Sequence, residues 1–200
     1  MHIFNQLLNW IFPQDVIIEN FDGIPPCPWW NETISSLFNY RDPKIRNAIW
    51  QLKYQGNRHI AHLLGSLLSQ AIIQKNIQAP LIIPLPLSKK RLKERGWSQT
   101  EMLVRSIMKN DTTHSLEYGD KILIKIRHTY PQTKLSRSER KHNLKDCFAI
   151  NSELKNKEII LRRNIILIDD VSTTGSTIFE AQKTLQAAGA RSVCAFTVAH

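Results

Sequence analysis

Two hundred residues, 42% of them hydrophobic and 22% charged, with seven glycines and no low-complexity run, exclude a disordered or fibrous chain. They leave room for one α/β domain with a sizeable core and a small appendage. The formal net charge is +10, and residues 88–147 hold 15 Lys/Arg against 7 Asp/Glu, so most of the excess sits in that stretch. A localised basic field points to phosphate, nucleic acid or another polyanion as partner, or else to a solvated basic surface. Cys27, Cys147 and Cys194 are widely spaced and form no C-x-x-C pair. That rules out a readable disulfide framework or zinc site and fits reduced thiols in the cytoplasm.

In chain order, Ile3, Phe4, Leu7, Leu8 and Ile11 trace one face of a short docking helix. The absence of a basic n-region and of a cleavage site argues against a signal peptide, and no later apolar run is long enough to span a bilayer. Residues 13–40, broken by Pro13, Pro25, Pro26 and Pro28, read as irregular. Asp42-Pro43 reads as an N-cap with proline at the first helical position, and Ile45, Ile49 and Leu52 give that helix an apolar stripe ending near Gly56. A second helix carries Ile60, Leu63, Leu64, Leu67, Leu68 and Ala71.

Leu81-Ile82-Ile83 reads as a buried strand running into Pro84-Leu85-Pro86 and then the basic stretch Lys89–Gly96. Ser98 and Glu101 make a capping box for a helix with Met102, Leu103 and Ile107. Strands are expected at Ile122–Ile124, Phe148–Ile150, Ile165–Ile168 and Val193–Val198, with a helix over Ser176–Ala188 closed by Gly189. The alternation from residue 80 onward predicts an α/β fold, a mostly parallel sheet flanked by helices, with the ligand beyond the carboxyl ends of the strands. Residues 1–41 form an N-terminal appendage in this reading, and residues 42–200 the main domain.

The sharpest feature is Ile165-Ile166-Leu167-Ile168-Asp169-Asp170-Val171-Ser172-Thr173-Thr174-Gly175-Ser176-Thr177. A buried strand delivers two carboxylates, and the chain turns at once into a helix whose first turn offers unpaired N–H groups and the positive dipole end. Gly175 permits close backbone approach, while Thr173, Thr174, Ser176 and Thr177 add hydroxyl donors, which together suit a phosphate monoester. Asp169 and Asp170 suit the diol of a ribose. The competing account is a polar surface turn, since Asp, Ser, Thr and Gly are common turn residues. No G-x-x-x-x-G-K-[ST] and no G-x-G-x-x-G occurs.

This segment resembles the 5-phosphoribosyl diphosphate (PRPP) motif of type I phosphoribosyltransferases. From about Asp42 onward the chain resembles the ComF (competence protein F) family. The likeness rests on the PRPP loop, on Leu52-Lys53-Tyr54-Gln55-Gly56, on the block Ile82–Gln99, and on a block from Arg127 to Asn143. Family members often begin with a four-cysteine zinc module; only Cys27 lies in that region here, so the resemblance implies its loss.

The resemblance implies a type I phosphoribosyltransferase-like domain in which Asp169 and Asp170 bind the ribose of PRPP and Thr173–Thr177 its 5′-phosphate. Ser88, Lys89, Lys90, Arg91 and Arg95 then face the diphosphate, whose charge grows as the glycosidic bond breaks. Arg127, Gln132, Arg140 and Asn143, with Thr129 and Arg137, form an acceptor or accessory cluster; a helix start with solvated arginines is the other reading. Thr173 stands where oxopurine-type members carry a second Asp, which argues against that subclass, and no general base stands out, His128 and His142 being weak candidates that leave the catalytic residues unassigned. Mg²⁺ is expected to be held mainly through PRPP. The expected activity is transfer of ribose 5-phosphate to an acceptor that the sequence does not identify. The alternative is a non-catalytic PRPP or nucleotide sensor, or a single-stranded-DNA-handling accessory of transformation working with competence import proteins, for which Trp97 and Tyr130 offer stacking surfaces.

Overall fold

A computed structural model describes residues 29–30, 33–127, 146–153 and 157–200. Strands Trp29–Trp30 (β1) and Ile34–Phe38 (β2) come first, followed by helices Pro43–Tyr54 (α1) and Arg58–Gln74 (α2). Strand Leu81–Pro84 (β3), helices Lys89–Arg95 (α3) and Gln99–Asn110 (α4), and strand Glu117–Tyr118 (β4) come next. Strands Leu123–Lys125 (β5) and Phe148–Ile150 (β6) precede a 3₁₀ turn at Lys157–Ile160. Strand Asn164–Val171 (β7), helix Ser176–Ala187 (α5) and strand Ser192–Ala199 (β8) complete the described chain.

Local chemistry sets the helix starts. The Asp42 carboxylate accepts from the N–H groups of Lys44 (2.8 Å) and Ile45 (3.2 Å), with Pro43 at the first position where its missing N–H costs nothing. Asn57 caps α2 in the same way, and the Ser98 hydroxyl accepts from Glu101 N–H at the start of α4. The basic stretch is itself helical, because Ser88 caps it and Gly96, at φ 83°, closes it.

The main sheet runs β1-β2-β8-β7-β3-β4, parallel throughout except for β1. Alternating residues of its strands serve two cores, as the period of two demands. Ile82, Ile166, Ile168 and Phe196 pack under α1, α2 and α4, while Leu81, Ile83, Ile165 and Leu167 pack under α5 and the β5–β6 ribbon. From β3 the chain winds through α3 and α4 to β4 on one side. From β7 it winds through α5 to β8 on the other. The winding therefore reverses between β3 and β7, and the crevice at their carboxyl ends is the switch point where ligands of open parallel sheets bind.

Three elements depart from the sequence reading. The stretch read as irregular contains β2, which pairs in parallel with β8 and is locked by a buried Ser36–Thr197 hydroxyl contact of 2.7 Å across 161 positions. The strand around Ile122 leaves the parallel sheet and pairs antiparallel with β6 as a separate ribbon. Glu117–Tyr118 adds a parallel edge strand beside β3. The expected N-terminal helix over Ile3–Ile11 and Cys27 lie outside the described residues, and no described helix is long and apolar enough to cross a membrane.

The corner between α1 and α2 is fixed from outside. The Trp97 indole Nε1 donates to the Leu52 carbonyl at 3.1 Å, and Gly56, at φ 62°, lies against the same ring. A Cβ at Gly56 would meet three indole carbons at 3.0–3.3 Å. Gly56→Ala combines a left-handed backbone penalty with that contact, so a loss of about 2 kcal/mol is expected in the urea unfolding of the full chain.

Candidate functional site

Strand β7 carries the two acids to the switch point. Its apolar residues Ile165–Ile168 are fully covered, so the strand's polarity is concentrated at its carboxyl end. Asp169 is half-buried, and its Oδ1 accepts from the Asp170 N–H at 2.8 Å. Asp170 is only 4% exposed. Its Oδ1 accepts from Val171 N–H at 2.9 Å, and its Oδ2 lies 2.9 Å from Lys53 Nζ, an ion pair reaching across from the last turn of α1.

This arrangement drives the two acids apart electrostatically. Burial together with the adjacent Asp170 charge pushes the Asp169 carboxyl well above the usual carboxylate range. Burial acts on Asp170 in the same sense, but the Lys53 ammonium outweighs it and holds Asp170 below its ordinary value. Lys53 is in turn raised: burial opposes its charge, and Asp170, with Asp169 behind it, overcomes that opposition.

Beyond the acids the chain forms the turn read as a phosphate loop. Gly175 occupies the N-cap of α5 at φ 72° and offers no side-chain oxygen to the first-turn amides. Thr174 and Ser176 hydroxyls lie 2.8 Å apart, and Thr174 Oγ1 also accepts from Ser176 N–H at 3.4 Å. The loop from Val171 to Ile178, with Asp169, lines a hollow of about 40 Å³. With each bound water needing roughly 10–15 Å³, that holds a few waters or one tetrahedral oxyanion.

Across the crevice, the Leu85–Ser88 segment is pinned by Thr100, whose hydroxyl donates to the Leu85 carbonyl at 2.9 Å. Ser88 is buried and its hydroxyl oxygen caps α3, while Lys89 and Lys90 are exposed and Arg91 is half-buried. Arg95 turns the other way: its guanidinium lies 5.3 Å from the Tyr54 ring centre and donates to Gln99 Oε1 at 3.0 Å. The ribbon contributes Lys125, whose ammonium lies 5.3 Å from the Phe148 ring centre. Burial pushes Lys125 below its usual value, with Arg91 acting in the same sense and Cys147 and Asp169 opposing it. Between the ribbon and the Pro84–Lys90 segment lies a cleft of about 420 Å³ with largely apolar walls.

Of the residues singled out in the sequence, Asp169 and the Thr173–Thr177 loop line one hollow at the end of β7 with Asp170 beside them, while Lys89 and Lys90 line the cleft beside the ribbon. Arg127 is the last described residue before the segment holding His128, Thr129, Tyr130, Gln132, Arg137, Arg140, His142 and Asn143, all outside the described residues. Two functional candidates escaped the sequence reading. Lys53 had a signal: at every fourth position it continues the buried stripe Ile45, Ile49, and a charge on a buried stripe needs a partner. Lys125 had none, because a lysine ending a short strand is ordinary. On the far side of the α1–α2 corner, a separate groove of about 790 Å³ is lined by Arg58, His62, Trp97, Glu101, Arg105 and Lys109.

Fold and site together define a parallel α/β protein with an acid pair and a strand–turn–helix loop at its switch point. No protein-family model matches the chain. Competence protein F of Haemophilus influenzae is 31% identical over 171 residues, covering 83% of this chain and 71% of that protein. The DNA utilization protein YhgH of Escherichia coli is 29% identical over 173 residues (84% and 71%), and competence protein ComFC of Streptococcus pneumoniae 28% over 166 residues (82% and 66%). On this similarity the chain belongs to the competence protein F family. Among solved structures, a hypoxanthine phosphoribosyltransferase from Staphylococcus aureus aligns with a TM-score of 0.43 at 18% identity, covering 70% of this chain and 63% of that one. An allosteric regulatory enzyme of purine biosynthesis aligns at 0.39 and 19%, covering 68% and 25%.

The split between the acids has opposite consequences for stability. Asp170, held below its unfolded value, contributes stability that is present at neutral pH and lost as pH falls through the folded value. Asp169, held above its unfolded value, costs stability progressively as pH rises from that unfolded value through the folded one. Asp169→Asn is therefore expected to raise the Tm of the free protein at pH 8, with the gain shrinking toward pH 4. Asp170→Asn strands Lys53 and should cost about 2 kcal/mol at pH 7, less than a fully buried pair because Lys53 keeps some solvent. Thermal melts of both variants across this pH range check the two signs.

Proposed function

We propose that this protein binds PRPP and transfers its ribose 5-phosphate to an acceptor. The observation that carries the reading is the acid pair running directly into a strand–turn–helix loop at the switch point of a parallel sheet. In this reading the 5′-phosphate sits in the Thr173–Thr177 turn, on the α5 amides and hydroxyls. The ribose diol donates to Asp169, the more open of the two acids, with Asp170 behind it. The diphosphate faces Lys89, Lys90 and Arg91, while Arg95, engaged by Tyr54 and Gln99, holds the helix in place.

Transfer breaks the C1′–O bond with its electron pair leaving on the diphosphate, and the acceptor's lone pair forms the new bond to C1′. Cations already placed at the leaving group stabilise the charge that grows there and need no reorganisation to do so. In this reading Mg²⁺ accompanies PRPP, held by ligand oxygens and water. The names of the relatives, competence protein F and DNA utilization protein, support linking this activity to DNA uptake, with the cytoplasm as its proposed setting.

A second reading, in which the chain handles single-stranded DNA or senses PRPP without turnover, is favoured by one observation. The groove beside Trp97 brings Arg58, Arg105 and Lys109 alongside an indole, the combination that tracks a phosphate backbone and stacks a base.

Calorimetric titration of PRPP with Mg²⁺ tests the first reading. The wild type is expected to bind and the Asp169→Asn/Asp170→Asn variant to lose at least a hundredfold in affinity, about 2.7 kcal/mol. Equal binding by both would remove the acid pair from the site. For the second reading, single-stranded DNA affinity should fall steeply with salt, and Arg58→Ala/Arg105→Ala/Lys109→Ala should reduce the log–log slope by roughly 0.7 per lost phosphate contact. No binding at low salt would end it.

A further inference from the structure

We propose that Lys53 is the positioning residue of the acid pair: its ammonium, delivered by the braced α1–α2 corner, holds Asp170 fixed and charged so that Asp169 is left to answer the ligand. The inference rests on the PRPP reading for the identity of that ligand, but not for the pairing itself.

The geometry behind it is a chain of contacts. The main chain beside Lys53 is tied down by Trp97, which donates to the carbonyl of Leu52, and by Arg95, which lies over the ring of Tyr54. Lys53 therefore reaches the pair from a fixed base instead of from a free helix end. Its target is equally fixed, since β7 is paired on both sides, with Pro84↔Ile168 toward β3 and Asp169↔Thr197 and Val171↔Ala199 toward β8. Asp170 spends one oxygen on Val171 N–H and the other on Lys53, and its own N–H donates to Asp169. The orientation of the more open acid is thus set, through one intervening residue, by a lysine 116 positions earlier in the chain.

Charge makes the same demand. Two adjacent carboxylates out of water cannot both ionise without a cation beside them. The groups that act on the pair electrostatically are Lys53 from α1 and Lys125 from the ribbon, while Tyr40 and Arg91 act in turn on those two lysines. Only Lys53 makes an ion pair with either acid among the described residues. Without it, the pair becomes a dyad sharing one proton over a range that extends toward neutral pH. A protonated pair accepts fewer hydrogen bonds from a diol, so ribose affinity should become more sensitive to acid than in the wild type.

The experiment uses the full chain with Lys53→Met and Lys53→Arg, and reads two quantities. The first is the titration of the Asp169 and Asp170 carboxyl carbons by ¹³C NMR in the free protein. The second is the ratio of mutant to wild-type Kd for PRPP with Mg²⁺ between pH 6 and 8, a ratio that cancels the titration of the ligand itself. For Lys53→Met, the Asp170 carboxyl is expected to titrate at higher pH. The Kd ratio should be about 10–100 at pH 8 and climb as pH falls, by at most about tenfold per pH unit for one proton. Lys53→Arg should restore the wild-type titration and most of the affinity. If Lys53→Met does not fold, Lys53→Gln, which keeps a donor but no charge, is read in the same way.

Unshifted carboxyls with a pH-independent Kd ratio would overturn the positioning role while leaving PRPP binding intact. A wild type that binds no PRPP, with carboxyls that still move when Lys53 is replaced, would overturn the ligand and retain the positioning role.

Discussion

A buried parallel strand that must end in charge is the constraint on which the rest of this structure depends. Strand β7 is hydrogen-bonded on both sides and covered on both faces, so Ile165 to Ile168 see almost no water. The chain then places two carboxylates in succession where that apolar run stops. Leaving both there unpartnered would cost several kcal/mol per buried ion. The Lys53 ammonium offsets part of that cost for Asp170, and the remainder appears as the raised titration of Asp169. This electrostatic tension lies at the switch point of a parallel sheet, where the proposed ligand would bind.

The two layers of helices divide the work around that tension. The layer of α1, α2 and α4 carries the larger core and the lysine, and so determines where the acids point. The layer of α5 and the ribbon carries the turn before α5 and Lys125. In the proposed reading PRPP lies across the ends of β3 and β7, with its 5′-phosphate at the turn before α5 and its diphosphate toward α3.

The α1–α2 corner joins these parts physically. Trp97 and Arg95, at the end of α3, hold the residues on either side of Lys53. The basic helix and the acid pair are therefore referenced to the same few residues, and a displacement of one is felt by the other. The groove beside Trp97 touches this corner from outside, and anything bound there would press on the same contacts.

What could be read in the sequence is what depends on neighbours along the chain. The strand–acid–turn–helix run at Ile165–Thr177, the caps at Asp42 and Ser98, and the stripes of α1 and α2 each follow from periodicities and local hydrogen bonds, and each appears where the pattern places it. Strand β2 was not legible, since Ser35 and Ser36 look like turn residues until Thr197 supplies a hydroxyl partner and β8 a ladder. The ribbon was legible as two short strands but not as a separate sheet, because pairing direction is not encoded in a three-residue apolar run. The acid pair was legible as an acid pair, whereas its division into one held and one responsive carboxylate was not. That division depends on a lysine brought from another layer of the fold, and only tertiary packing determines which of two adjacent identical side chains the lysine meets.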